Sequence, residues 1–134
     1  MTLIWISLSL FLIILAYIRF VPSDPAKWHV APKLAGDQIF NNGAVRVVLI
    51  GKDGLRRLVK VVEDDPRSQI LVGSTEEGMI TFISRSRIVG FPDYTTVLQD
   101  GERLVMLARS RFGRKDFGIN AERLDRWIDA LSAF

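Results

Sequence analysis

The stretch from Met1 to Ile18 contains no charged side chain, and this constrains the chain more than any other feature of its sequence. Together with the residues up to Val21 it makes a run of about 20 mostly apolar residues, which at about 1.5 Å per helical residue crosses a hydrocarbon core of about 30 Å. We therefore expect residues 1–21 to form one transmembrane helix. A cleaved signal peptide is the alternative, and it fits less well because no basic segment precedes the run and no A-x-A cleavage site follows it.

Four side chains in this part of the chain suit the membrane interface. Trp5 and Tyr17 lie near opposite ends of the predicted helix, where amphipathic rings prefer the headgroup zone. Arg19 is long enough to extend its charge to the same zone. We also assign Trp28 to the interface, with packing against the surface of the following domain as the alternative.

The distribution of charge bears on orientation and partners. The chain has 18 Lys and Arg against 15 Asp and Glu, a formal net charge of +3. So small an excess on a tethered chain argues against binding of nucleic acid. The positive-inside rule places the rest of the chain in the cytoplasm, because no basic residue precedes the helix and three follow it: Arg19, Lys27 and Lys33.

Two residue types limit the chemistry. The chain has no cysteine and a single histidine, His29. Thiol nucleophiles, disulfides, thiolate metal sites and multi-histidine metal sites are therefore excluded. We expect neither a metal nor a cofactor.

After the apolar run, prolines prevent a continuous helix at Pro22, Pro25 and Pro32. This pattern predicts a stiff linker over residues 22–43. Residues 44–134 then form the folded domain.

Periodicity in this domain predicts an α+β fold. Ala44–Ile50 is β-branched and apolar, as expected of a strand, and apolar residues at helical spacing predict a helix over about Gly54 to Asp64. Four further strand-like runs are separated by short turns and predict an antiparallel meander: QILVGS, MITFISRS, DYTTVLQ and ERLVMLARS. We expect one antiparallel sheet with helices packed on one face.

A turn signal predicts the register of the last two strands. The Asp-Gly dipeptide after Gln99 predicts a two-residue hairpin loop with Gln99 opposite Glu102, which places Asp93 beside Ala108 and Arg109.

The last helix begins near residue 120. Asn120 is the predicted N-cap, and Ile119 and Leu124 are spaced to form a hydrophobic staple around it. Its apolar face consists of Leu124, Trp127, Ile128 and Leu131.

Basic side chains recur where the strands end. Ser-Arg alternation places pairs of arginines on common strand faces, and the segment GRKDFGIN continues from them to the start of the last helix. Guanidinium groups bind anions in bidentate fashion, and a helix N-terminus favours negative charge. The sequence thus predicts a surface for an anion or a partner, with the candidate residues Arg85, Arg87, Arg109, Arg111, Arg114, Lys115 and Asn120.

The alternative is that nearby carboxylates neutralise these arginines internally, as surface ion pairs commonly do. The acidic residues close enough in sequence are Asp93, Asp116, Glu76 and Glu77.

Nothing in the sequence indicates an enzyme. Ser84, Ser86 and Ser110 have no histidine near them in sequence, since His29 lies in the linker. No glycine-rich phosphate-binding loop occurs. We expect no catalytic activity.

A set of short motifs lies between Asp65 and Leu131: Pro66-Arg67, Glu77-Gly78, Ser86-Arg87, Gly90-Phe91-Pro92-Asp93, and Arg111 with Gly113, Asp116, Gly118 and Asn120. In these motifs the sequence resembles the bacterial and plastid family called domain of unknown function 1499 (DUF1499), in its short membrane-anchored form. Lys115 replaces the small polar residue typical of that position. The resemblance implies an envelope setting, which opposes the charge count and leaves the side of the membrane open.

These observations support a single-pass protein of the bacterial inner membrane whose partners are lipids and other membrane proteins. The first hypothesis is a non-enzymatic accessory or assembly subunit of a larger membrane complex, of respiratory type by analogy. The second is a membrane-tethered module that binds an anion or a lipid headgroup. The third is an unrecognised hydrolase.

Overall fold

Four helices and six strands make up the described residues, 1–33 and 36–133, of this computed structural model. In chain order they are α1 (Thr2–Phe20), α2 (Pro25–Trp28), β1 (Gln38–Phe40), β2 (Gly43–Leu49), α3 (Gly54–Glu63), β3 (Ser68–Ser74), β4 (Met79–Arg85), β5 (Pro92–Asp100), β6 (Arg103–Ser110) and α4 (Ile119–Leu131).

The strands form one antiparallel sheet in the order β1-β2-β6-β5-β4-β3. Strands β3 to β6 are neighbours in chain order, which confirms the predicted meander. Strand β2, connected to β3 through α3, pairs with the far side of β6. The α+β class is confirmed, and the short β1 lies within the range 22–43 that the sequence predicts as a linker.

The hydrophobic core lies between one face of the sheet, here called the inner face, and helices α3 and α4. Helical spacing of apolar residues positions α3, whose Leu55 and Leu58 are buried. On α4, Trp127 meets Phe82 of β4 edge to face, with 5.7 Å between the ring centroids. Burial of these aliphatic and aromatic side chains is the main favourable contribution to folding.

The loop of the hairpin between β5 and β6 lies one residue later in the sequence than predicted. Asp100 pairs with Arg103, so the loop is Gly101-Glu102. Gly101 has φ of 60°, which suits the first loop position of a type II′ turn, where glycine is favoured. Asp93 therefore lies opposite Ser110. The prediction that it lies beside Ala108 and Arg109 is wrong.

Helix α1 projects from the domain. None of its 19 residues is buried, and its mean hydropathy is 2.3, so it is long and apolar enough to span a membrane. Within the described residues, only its last turns touch the rest of the chain. The Tyr17 ring lies 6.3 Å from the Phe112 ring, and the Arg19 guanidinium lies against Gly90.

The segment after α1 packs on the face of the sheet opposite the core, here called the outer face. The Trp28 ring stacks on Tyr94 with 4.1 Å between centroids, which agrees with the packing alternative for this tryptophan. Ser23 hydrogen-bonds the Tyr94 hydroxyl at 2.6 Å. His29 reaches Thr81 of β4 at 2.9 Å and Glu77 at 2.8 Å. The linker is thus part of the folded unit.

Replacing Trp127 with alanine should lower the free energy of unfolding of the domain by about 3–5 kcal/mol, because it leaves a cavity beneath α4. Urea titration of the full chain in neutral detergent, followed by near-UV circular dichroism, measures this loss. Trp5→Ala is the matched control on exposed α1 and should leave the midpoint unchanged. Equal midpoints for Trp127→Ala and the unmodified chain would contradict the packing described here.

Candidate functional site

A cavity of about 570 Å³ opens at one end of the inner face. It lies where β4 ends, β5 begins, β6 ends and α4 begins. Ser84 pairs with Asp93, which pairs with Ser110, so the register places these three side chains on one face and in one row. This polar row forms the floor of the cavity. It lies on the same face of the sheet as the apolar core, at the end where that face opens to solvent.

One edge of the floor is a hydrogen-bonded chain that ends on Asp65. The hydroxyl of Ser68 donates to Asp65 Oδ2 at 2.9 Å and lies 2.6 Å from the hydroxyl of Ser84. The Trp127 indole donates to the same carboxylate oxygen at 3.4 Å. Burial alone would raise the pKa of Asp65, but the hydrogen bonds from Ser68, the Arg67 amide and Trp127 outweigh it, and this pKa is lowered.

The centre of the floor is an ion pair. Arg123 of α4 donates to Asp93 Oδ2 at 3.0 Å and to Asn120 Oδ1 at 2.8 Å, and the two charged side chains are about nine-tenths buried. Burial raises the pKa of Asp93, and the charge of Arg123 acts against this shift. Each charge in this pair therefore has its counter-charge inside the floor.

Asp116 caps helix α4 and corrects the predicted cap. Its carboxylate accepts from the backbone N–H of Gly118 at 2.9 Å and of Asn120 at 3.2 Å. Asn120 lies inside the helix, where its amide donates to Asp116 Oδ2 at 2.9 Å. The anion expected at this helix N-terminus is thus a carboxylate of the chain itself. Ile119 is the first helical residue and half exposed, so the predicted staple with Leu124 is also corrected.

The turn before α4 is strained. Phe117 has φ of 55°, and no other non-glycine residue in the described ranges has a positive φ. This backbone conformation costs about 1–3 kcal/mol outside glycine. The Phe117 side chain is 89% exposed, so burial of the ring does not offset this cost.

Cationic side chains surround the opening. Arg123 and Arg126 contact Asp93 and Asp65, respectively. Four others form no ion pair with any residue of the two described ranges: Arg67, Arg85, Arg87 and Lys115. We call these four residues the cationic rim. The walls are completed by the aromatic side chains of Phe91, Phe112 and Phe117.

The predicted basic cluster is therefore divided between two places. Arg85, Arg87 and Lys115 line the cavity, and Asn120 is buried beside it. Arg114 is exposed and does not line the cavity.

The two remaining arginines lie on the outer face, because Arg109 pairs with Tyr94 and not with Asp93. Arg109 donates to Thr96 Oγ1 at 2.8 Å and to the carbonyl oxygen of Trp28. Arg111 donates to the carbonyl oxygen of Pro22 at 2.8 Å. Burial lowers the pKa of Arg109 to about 10. These two side chains hold the linker and are not free to bind a ligand.

The carboxylates that were candidates to neutralise the predicted basic cluster pair with other residues instead. Asp93 pairs with Arg123, and Glu77 with His29, so neither contacts an arginine of the predicted cluster. Sequence reasoning missed Arg67, Arg123 and Asp65. The sequence held one signal for them. Because side chains alternate between the two faces of a strand, Ser84 and Ser110 can be assigned to the inner face, in the row that Arg67, Arg123 and Asp65 surround.

The model of a family described as a protein of unknown function, DUF1499, matches residues 22–131. The chain belongs to the DUF1499 family. The DUF1499 match begins directly after α1 and ends with the last residue of α4, so it includes the linker together with the sheet. Residues that carry the DUF1499 resemblance line the cavity: Arg67, Ser86, Arg87, Phe91, Asp93, Gly113 and Asp116. No curated protein matches the chain.

Asp65→Asn should destabilise the domain at pH 7 but not in acid. Because folding lowers the pKa of Asp65, its carboxylate stabilises the fold above the unfolded pKa of about 3.9, and this stabilisation is lost as pH falls through the folded pKa. The gap between the melting temperatures of variant and unmodified chain should therefore narrow below about pH 4. Asp64→Asn, at an exposed neighbour, is the control. A gap independent of pH would contradict the assignment.

Proposed function

We propose that this protein is a membrane-tethered binding module for an anionic, phosphate-bearing ligand. The cationic rim carries the proposal: four basic side chains surround one cavity and have no carboxylate partner in the described ranges. Like charges gathered at one opening repel one another, and a bound anion relieves that repulsion.

The chemistry of the rim favours phosphate. Three of its members are arginines, whose planar guanidinium groups donate paired hydrogen bonds to phosphate oxygens. A hydroxyl adds to this donor set. Ser86 accepts from the N–H groups of Gly90 and Phe91, so it keeps its own O–H to donate.

The aromatic walls point to a ligand with an apolar part. Phe91 and Phe112 lie 6.4 Å apart between ring centroids and form one side of the cavity. A phospholipid headgroup with the start of its acyl chains has this character, and so has a soluble phosphate ester with an apolar substituent. The two sources share the same recognition chemistry.

The proposal is one of binding without catalysis. The cavity carboxylates Asp93 and Asp116 are engaged by Arg123 and by the start of α4. His29, the only histidine of the chain, is bonded to Thr81 and Glu77 on the outer face and cannot serve the serines of the cavity as a base.

Removing two charges of the rim should abolish most of the binding. For the full chain in neutral detergent, Arg87→Gln with Lys115→Gln should weaken binding of short-chain phosphatidylglycerol at least about tenfold, or about 1.4 kcal/mol. Isothermal titration calorimetry measures this change. Arg114→Gln is the control, because it removes one positive charge next to Lys115 but outside the cavity, and it should bind as the unmodified chain does.

Two further titrants identify the source of the anion. Binding of inorganic phosphate as well as phosphatidylglycerol indicates a general phosphate site. Binding of phosphatidylglycerol alone indicates a lipid site. If phosphatidylcholine binds as tightly as phosphatidylglycerol, or if neither anion binds, the proposal is wrong.

A role as accessory subunit of an inner-membrane complex is a second proposal. Its support is α1, whose apolar surface, apart from the last turns, is left exposed by the rest of the described chain. Purification in mild detergent should then bring a stoichiometric membrane partner, and elution of the protein alone would count against this role.

A further inference from the structure

We propose that two loops beside the cavity, residues 86–91 and residues 112–118 with the adjoining Ile119 of α4, form a second membrane contact in addition to α1. Their apolar tips enter the lipid headgroup zone and place the mouth of the cavity at the bilayer surface. This contact requires no ligand in the cavity, so it stands or falls separately from the proposed function.

The first observation is unburied apolar surface at one end of the sheet. Ile88 is 91% exposed and Phe117 is 89% exposed, the highest values among the large hydrophobic residues of the described domain after α1. Ile119 is 53% exposed and Phe91 is 40% exposed in the same two loops. Single exposed apolar residues are ordinary, but four in two adjacent loops make a patch that needs a partner.

The second observation is where α1 meets the domain. The rings of Tyr17, Phe112 and Phe91 form a continuous row, with 6.3 Å and 6.4 Å between successive centroids. A methyl group added to Gly90 would come within 2.5 Å of the Arg19 guanidinium. The last turn of α1 therefore packs directly on these loops.

The course of the linker gives the direction. Pro22 contacts Arg111 at the cavity end of the outer face, and His29 reaches Glu77 in the turn at the other end. The chain thus leaves α1 at the cavity end and runs away from it along the sheet. If α1 spans the bilayer, the loops lie at the level of Arg19, which is where the headgroups are, and the hairpin at Glu102 lies at the other end of the sheet, away from the membrane.

The basic residues beside the apolar tips favour contact with a lipid bilayer over burial against another protein. Arg87 precedes Ile88, and Lys115 lies two residues before Phe117, so each apolar tip has a basic neighbour. Apolar side chains flanked by basic ones are typical of segments that lie in the interface of an anionic bilayer. At the same end of the domain, Phe117 combines a strained backbone with an exposed ring.

The chain has no cysteine, so single labels test this contact. Ile88→Cys and Phe117→Cys, each carrying an environment-sensitive fluorophore, are reconstituted as full-length protein in phosphatidylcholine and phosphatidylglycerol vesicles. Glu102→Cys, at the exposed hairpin of the opposite end, is the matched control. Lipids bearing a nitroxide close to the headgroup serve as quenchers.

We expect several-fold stronger quenching at Ile88 and Phe117 than at Glu102. Quenching at either tip that is no stronger than at Glu102 overturns the two-loop contact. An apolar environment at the tips without nitroxide quenching also overturns it, because another protein then covers the loops. All three positions are exposed, so unfolding of a variant is not expected, and the Tyr94 and Trp127 near-UV signal verifies the fold of each.

Discussion

The antiparallel register of β4, β5 and β6 is the constraint on which the site depends. It aligns Ser84, Asp93 and Ser110 in one row at the end of the inner face. An apolar helix surface cannot cover such a row without leaving polar groups unpaired. Helix α4 meets this requirement with Arg123 and Asn120 in its first turns, and the loops around it stay open. The cavity is thus a consequence of a polar strand end beneath a helix start.

The two faces of the sheet use arginine in different ways. On the outer face, Arg109 is desolvated and donates to the backbone of the linker, which raises the cost of detaching that segment. At the cavity, Arg123 is paired with Asp93, while the rim arginines have no carboxylate partner in the described ranges. Arginines that the sequence places at a shared strand end therefore hold the linker on one face of the sheet and line the cavity on the other.

Much of the architecture could be predicted from the sequence, because periodicity reports burial directly. The helical spacing of Leu55 and Leu58 located α3, and alternating runs located the meander. The hairpin register could not be predicted, since Asp100-Gly101 and Gly101-Glu102 both place glycine where a tight turn accepts it, and the two loops differ by two residues in strand pairing.

The site is harder to predict than the fold. The sequence shows which arginines lie at the same strand end, but not which face of the sheet each one occupies. Strand ends have two faces, and only the pairing of Arg109 with Tyr94 shows which face it occupies. Nor does sequence distinguish a cap at Asn120 from one at Asp116, since both residue types favour that role.

The linker has one more consequence. Because Ser23, Trp28 and His29 are all bonded to the sheet, no long flexible tether separates α1 from the domain. A free tether would let the domain tumble and sample solvent in three dimensions. If α1 is embedded in a membrane, a domain held this closely keeps a nearly constant tilt as it diffuses laterally in the plane of the bilayer.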